Sequence, residues 1–232
     1  MIKRGADRDR VAINVTGLDM SGKSTTAAAL AQALSGGEVT RYFGKVSAGV
    51  AVRSLGALAG LVSKSVGERG GNLVSLLYVI LLVAERPAFV ALRSRTGVHI
   101  FEGRWERSVA FNWSVRRILG FWGWSSERLM PPADPTEITV FLTCPQPILR
   151  ERAERRSRPL SILDRRIATG PAFSTVMEFE LLRLAVGRSR ATVELDSGEL
   201  RTEAIVAATM DLLDRLSSDT PPGRRVSRPR CG

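Results

Sequence analysis

Short apolar runs and longer helix-forming runs alternate along this chain. VAINVT (11–16), EVTRYF (38–43), GVHIFEG (97–103), EITVFLTCP (137–145) and RATVELD (190–196) are compact and rich in β-branched residues. Each reads as a strand. GVHIFEG carries apolar residues at consecutive positions, the pattern of a strand buried on both faces. Between the strands lie helical segments. These are STTAAALAQAL (24–34), the glycine-interrupted stretch 44–65, and a long segment from 72 to about 95 that Pro87 must kink or interrupt. Others are 106–119, the arginine-crowded 148–158, 171–187 opened by Gly170-Pro171, and 200–216. The Gly-, Pro- and Trp-rich stretch 120–137 reads as a loop. Five strands separated by helices predict one α/β domain over 1–218, a parallel sheet with helices on both faces. A basic, Pro-rich, apolar-poor tail at 219–232 is expected to be disordered. Ligands of such sheets sit beyond the carboxyl ends of the strands.

Composition fits one sizeable core: the chain has 232 residues, 44% of them hydrophobic. Its longest apolar run, LVSLLYVILLVA (73–84), is about half a membrane span. A buried helix is expected there, and no membrane span. The charged start MIKRGADRDR lacks the apolar core of a signal peptide. Two distant cysteines, Cys144 and Cys231, suggest neither a disulfide framework nor a metal site, so a reducing, cytoplasmic setting is expected. The net charge is +11, and every cation other than Lys3, Lys23, Lys45 and Lys64 is arginine. Such an excess suits an anionic partner, or reflects compositional bias in an arginine-rich proteome. The chain has no aromatic–basic RNA-binding motif and no zinc spacing, so no nucleic-acid partner is required.

The sharpest chemical signal is GLDMSGKST (17–25), which matches G-x-x-x-x-G-K-[ST] through Gly17, Gly22, Lys23 and Ser24. In such a loop, inward-facing backbone N–H groups cradle phosphate oxygens. Glycines permit the turn and the close approach. The context agrees, with a strand before the loop and a strong helix after it, so the helix N-terminus adds partial positive charge at the phosphates. Gly17, Asp19, Ser21, Gly22, Lys23, Ser24 and Thr25 are therefore the expected donor-nucleotide residues. The Lys23 ammonium would reach the outer phosphates, and the Ser24 hydroxyl would join a Mg²⁺ shell.

The third strand ends in FEGRWERSVAFNW, and from here the chain resembles the thymidylate kinase family of P-loop nucleoside monophosphate kinases. Arg104, Trp105 and Ser108 take the places of that family's Arg, aromatic and Ser. TRYFG resembles its Thr-Arg-Glu-Pro-Gly, and AER before Pro87 its Ala-Asp-Arg. VFLTCPQPILRERAERR resembles the strand and helix entering its lid. SILDRR resembles the segment after the lid, and VELDSGELRTEAIVAATMDLL the closing strand and helix. The resemblance runs from about 11 to 216. It implies a P-loop three-layer fold with a short arginine-rich lid at about 150–166, ATP as donor, Mg²⁺ as cofactor, a phosphorylated small-molecule acceptor and a homodimer. It makes Arg41, Arg53, Arg86 and Arg104 acceptor-site arginines, Arg104 also being catalytic. The family divides its catalytic arginine between loop and lid. Met20 fills the loop position here, which leaves Arg155, Arg156 and Arg158 of the lid as candidates. A solvated helix face with Glu/Arg pairs is the plain alternative for that stretch.

The acceptor side departs from the family pattern. The family's Asp before Arg is Gly103, with Glu102 one place earlier. Glu102 is a candidate for the Mg²⁺ shell, directly or through water; Asp19 or a water is the alternative. Tyr42 and Phe43 replace the acceptor loop's Glu and Pro. Phe111 and Asn112 are candidates for stacking on a base and bonding its edge, or else are helix residues packed on the core. Trp113, Phe121, Trp122 and Trp124 beside Arg116 and Arg117 would suit a membrane-surface, partner or acceptor-pocket patch, or a core or dimer contact. His99 and Cys144 read as packed, and Asp164 either braces the lid or caps a turn. The expected reaction is γ-phosphoryl transfer from ATP to dTMP. A different small acceptor, or a nucleotide-binding regulator without turnover, are the alternatives.

Overall fold

The structure is a computed structural model and describes residues 10–34, 39–42, 97–102, 106–107, 109–111, 113–114, 133, 136–157, 160 and 162–218. Of 10 and 39–42, and of 162, the backbone alone is described. In chain order the elements are β1 (Arg10–Gly17), α1 (Lys23–Ala33), β2 (Val39–Tyr42), β3 (Gly97–Glu102) and β4 (Glu137–Thr143). They continue with α2 (Gln146–Glu154), α3 (Ile162–Thr169), α4 (Pro171–Arg188), β5 (Ala191–Asp196) and α5 (Thr202–Ser218). Residues 106–107, 109–111 and 113–114 also have helical backbone.

The five strands form one sheet in the order β2-β3-β1-β4-β5. All four pairings are parallel, as expected for strands joined by helical crossovers. β1 lies in the middle. The chain fills one side of it with β2 and β3, then crosses to the other side for β4 and β5. Register brings the carboxyl ends together, with Val15 beside Glu102, Gly17 beside Leu142, and Thr143 beside Asp196.

Strand alternation sorts the core into two layers. Ala12, Phe101 and Phe141 face one way and pack with Leu149 of α2, Ile167 of α3 and Phe173, Met177, Leu181 and Leu184 of α4. Ile13, Val15, Ile100, Val140 and Leu142 face the other way and pack with Leu30 of α1 and Ile205 and Leu213 of α5. The sheet is therefore covered on both faces, and burying each large side chain here stabilises the fold by roughly 1.5–3 kcal/mol. His99 and Cys144 are both buried, in keeping with their reading as packed residues.

One element differs from the expectation. The helical run foreseen over 148–158 instead stops at Glu154, and a separate α3 follows. Arg155 closes α2 by donating its backbone N–H to Glu151 O. Leu163, Ile167 and Ala168 of α3 fall on one helical face and turn it to the core. The foreseen helices at 44–65 and 72–95, the foreseen loop at 120–137 apart from 133 and 136–137, and the tail lie outside the described residues. Among the described residues, no helix is long and apolar enough to cross a membrane.

Candidate active site

At the carboxyl end of β1 the chain turns so close to β4 that only glycine fits. Gly17 has φ 138°, and a Cβ there would stand 2.3 Å from Leu142 O. The turn passes through Leu18, Asp19, Met20 and Ser21 and closes with Ser21 N donating to Leu18 O at 3.2 Å. Gly22, at φ 90°, caps α1 without any side-chain capping bond, and the first turn of α1 holds no acidic residue. The positive end of the helix thus opens into the loop with no capping side chain or acidic residue of its own.

The Lys23 ammonium lies inside this turn. It donates to Leu18 O at 2.6 Å, Gly17 O at 3.1 Å and Asp19 Oδ1 at 3.3 Å. Burial pushes its pKa below the usual lysine range, against the raising effect of Asp19. Asp19 is the converse. Burial pushes its carboxyl up, but the Arg107 and Lys23 charges and the Lys23 hydrogen bond together outweigh burial and hold it below the usual range. Arg107 Nη2 reaches Asp19 Oδ2 at 2.5 Å across 88 residues of sequence.

Ser24, one place further on, donates its hydroxyl to Glu102 Oε2 at 2.8 Å across 78 residues. Glu102 is the last residue of β3, beside Val15 in register. Two candidate metal-site residues are therefore adjacent. Ser21 Oγ is fully buried and has no hydrogen-bond partner among the described residues.

The segment after α2 carries the lid candidates, and it separates them. Arg155 is 77% exposed and pairs with Glu151 on its own helix at 2.5 Å. Arg156 is 25% exposed, lies 3.3 Å from the buried Asp164 of α3, and adds to the positive field on Asp19. Arg158 lies outside the described residues. Of the acceptor-side residues, Arg41 has a placed backbone, opposite Ile100 in the sheet. Phe111 meets Phe173 edge-on with ring centroids 6.3 Å apart and packs on the core. Arg53, Arg86, Arg104 and Asn112 lie outside the described residues.

Two arginines that the sequence did not single out stand at the loop: Arg107 and Arg152, the latter donating to Met20 O at 3.0 Å. No local signal marks either, since Arg107 bonds a carboxylate 88 residues away and Arg152 bonds backbone carbonyls.

The loop fits a nucleotide polyphosphate with Mg²⁺. A cradle closed to any Cβ at Gly17, a helix start with no acidic residue in its own first turn and a largely buried ammonium together form an anion site. Ser24 and Glu102 offer hard oxygen donors, the type Mg²⁺ takes. Among the described residues no group of three or more His, Cys, Asp or Glu could hold a metal ion.

No protein-family model and no curated protein matches the chain. Solved structures do match. Thymidylate kinase from Candida albicans, described for its broad substrate specificity, superposes with TM-score 0.61 at 16% identity, covering 90% of this chain and 93% of the other. Deoxyadenosine kinase from M. mycoides with dCMP and dCDP bound gives 0.58 at 14%, covering 89% and 100%. The same enzyme with dATP gives 0.56 at 14%, covering 88% and 100%. The chain has the fold that these thymidylate and deoxyadenosine kinases share.

Proposed function

We propose that this chain is an ATP-dependent kinase resembling thymidylate kinase. It transfers the γ-phosphoryl group of ATP to a nucleoside monophosphate, with dTMP giving dTDP as the default. The reading rests on one observation above the rest: a buried Lys23 ammonium among loop carbonyls, at the open start of α1, beside the Ser24–Glu102 pair.

The roles follow from charge and reach. Phosphoryl transfer needs positioning and charge neutralisation more than covalent chemistry. The loop amides from Gly17 to Thr25 and the α1 dipole bind the donor phosphates, and Lys23 leaves its carbonyl partners to hold the outer ones. Ser24 and Glu102 are the residues that would hold Mg²⁺, which when bound neutralises charge on the phosphate oxygens. Arg156, braced by Asp164, is the lid arginine best placed to neutralise the transferring group. Arg158 is a second lid candidate, while Arg155 is turned to solvent. Arg41, Arg53, Arg86 and Arg104 serve the acceptor phosphate. A cytoplasmic homodimer that needs no nucleic acid belongs to the same reading.

A second acceptor class stays in view because Asp19 is engaged by Arg107 and Gly103 replaces the family's Asp. The donor chemistry would then act on another nucleotide, a sugar or a natural-product intermediate. The deciding experiment is ADP release from Mg-ATP with dTMP, dUMP, other nucleoside monophosphates and sugar phosphates, with Lys23→Ala as blank. Turnover confined to dTMP is expected. Donor binding without turnover on any nucleotide would transfer the reading to the second class, and full activity in the blank would overturn both.

A further inference from the structure

The guanidinium of Arg152 projects from α2 into the junction where β1, β4 and β5 end. Nη1 donates to Met20 O of the phosphate loop at 3.0 Å, and Nη2 donates to Ser197 O, just after β5, at 2.6 Å. Nη1 also lies 3.4 Å from Ser197 Oγ and 3.5 Å from Cys144 Sγ. Ser197 is itself fixed, since its N–H and its hydroxyl both donate to Thr143 O at 2.9 Å. Gly198 behind it has no room for a Cβ, which would stand 2.7 Å from Ile148 Cδ1 and 2.8 Å from Pro145 Cδ. One planar fork therefore ties the loop after β1 to a rigid corner built on β4 and β5.

The tie falls at the loop's most constrained position. Met20 is the one non-glycine residue with positive φ among the described residues, at 75°, and its side chain is buried. A non-glycine residue stays in that region only where its surroundings hold it there. The carbonyl of this residue is the one Arg152 binds. Every contact of the Arg152 guanidinium named above is to a protein acceptor, so it is a brace and not a free cation awaiting phosphate.

We infer that Arg152 is a positioning residue for the phosphate loop: it holds Met20 in the left-handed region and so presets the loop amides for polyphosphate. This rests on the phosphate-loop reading above. The arginine that the loop lacks in its own side chains reaches it from α2, at the backbone.

The test uses ligands with and without a base. Isothermal titration of the full chain with ATP and with inorganic tripolyphosphate should show Arg152→Met weakening both by the same factor, about tenfold or more. Arg152→Lys, which can serve one acceptor but not span two, should recover part of the loss. Unchanged tripolyphosphate affinity in Arg152→Met, with loss for ATP alone, would overturn the inference by making the guanidinium a base contact. If the Met variant fails to fold, amide hydrogen exchange of residues 18–24 in Arg152→Lys decides. Faster exchange than wild type supports the brace, and unchanged exchange overturns it. Should the wild-type chain bind neither ligand, the phosphate-loop reading fails, and the same exchange measurement still judges Arg152.

Discussion

The phosphate loop and the stretch after α2 both bring cations to the carboxyl edge of the sheet, by opposite means. In the loop, one ammonium is held by backbone carbonyls five and six residues away and a carboxylate four away, and its position follows from the turn itself. After α2, arginines crowd the sequence and burial sorts them. Arg155 pairs at the surface with Glu151, while Arg156 settles beside buried Asp164 within the field of Asp19. A local motif can specify a cation without help from the rest of the fold. A charge-rich helix end cannot, because any of its arginines satisfies the same composition.

The largest effect should come from the loop. Under the proposed function, Lys23→Ala would remove the cation assigned to the donor phosphates and should lower kcat/KM on the order of a thousandfold. Thermal unfolding should change little, because burial already disfavours this ammonium and Arg107 still balances Asp19. Loss of the fold along with activity would mean that Lys23 is structural.

The second contrast is between neighbours. Arg156→Ala should lower kcat about a hundredfold, and Asp164→Asn part of that by freeing the guanidinium. Arg155→Ala should stay within about threefold, since an exposed i,i+4 pair contributes little. Steady-state kinetics of the three variants would break the comparison if Arg155 proved the more costly.

Why these residues differ in legibility is physical. The five strands were readable because β-branched runs bounded by breakers have few other uses. α3 was not separated from its surroundings, because ILDRRIAT is short and arginine-rich and buries only a narrow stripe. The loop was readable because its glycines answer backbone demands, as the 2.3 Å approach at Gly17 shows. Arg107 was not readable, because its partner stands 88 residues away. Arg152 was hidden for another reason. Its principal partners are the carbonyls of Met20 and Ser197, and every residue has a carbonyl.

A smaller effect sharpens the loop side. Asp19 is ionised in the fold below its ordinary range, so its contribution to stability is present above the unfolded value and lost as pH falls through the lowered one. Arg107→Gln removes the largest favourable charge acting on that carboxyl and leaves burial to push it up. The acid unfolding transition should move to higher pH, with little change near neutrality, in melts followed by circular dichroism between about pH 2.5 and 7. An unmoved acid limb would show that Lys23 and Arg156 keep Asp19 charged without Arg107.

The smallest effect has the opposite sign and belongs to a carboxyl on α4. Burial, then the Glu194 and Asp196 carboxylates, push the Glu178 carboxyl on α4 above the usual range, against a hydrogen bond from the Cys144 backbone. A raised carboxyl pKa means that the folded state holds its proton longer than the unfolded chain. The charged form is therefore a cost that grows as pH rises past the unfolded value and is complete above the folded one. Glu178→Gln keeps an acceptor for the Cys144 N–H and removes the charge. It should raise Tm by about 2 °C near pH 7.5 and by much less at pH 4, where the carboxyl is mostly protonated folded or unfolded. A gain at pH 4 equal to that at pH 7.5 would assign the benefit to packing, and would separate this carboxyl from Asp19, whose charge the fold keeps by design of its neighbours rather than against them.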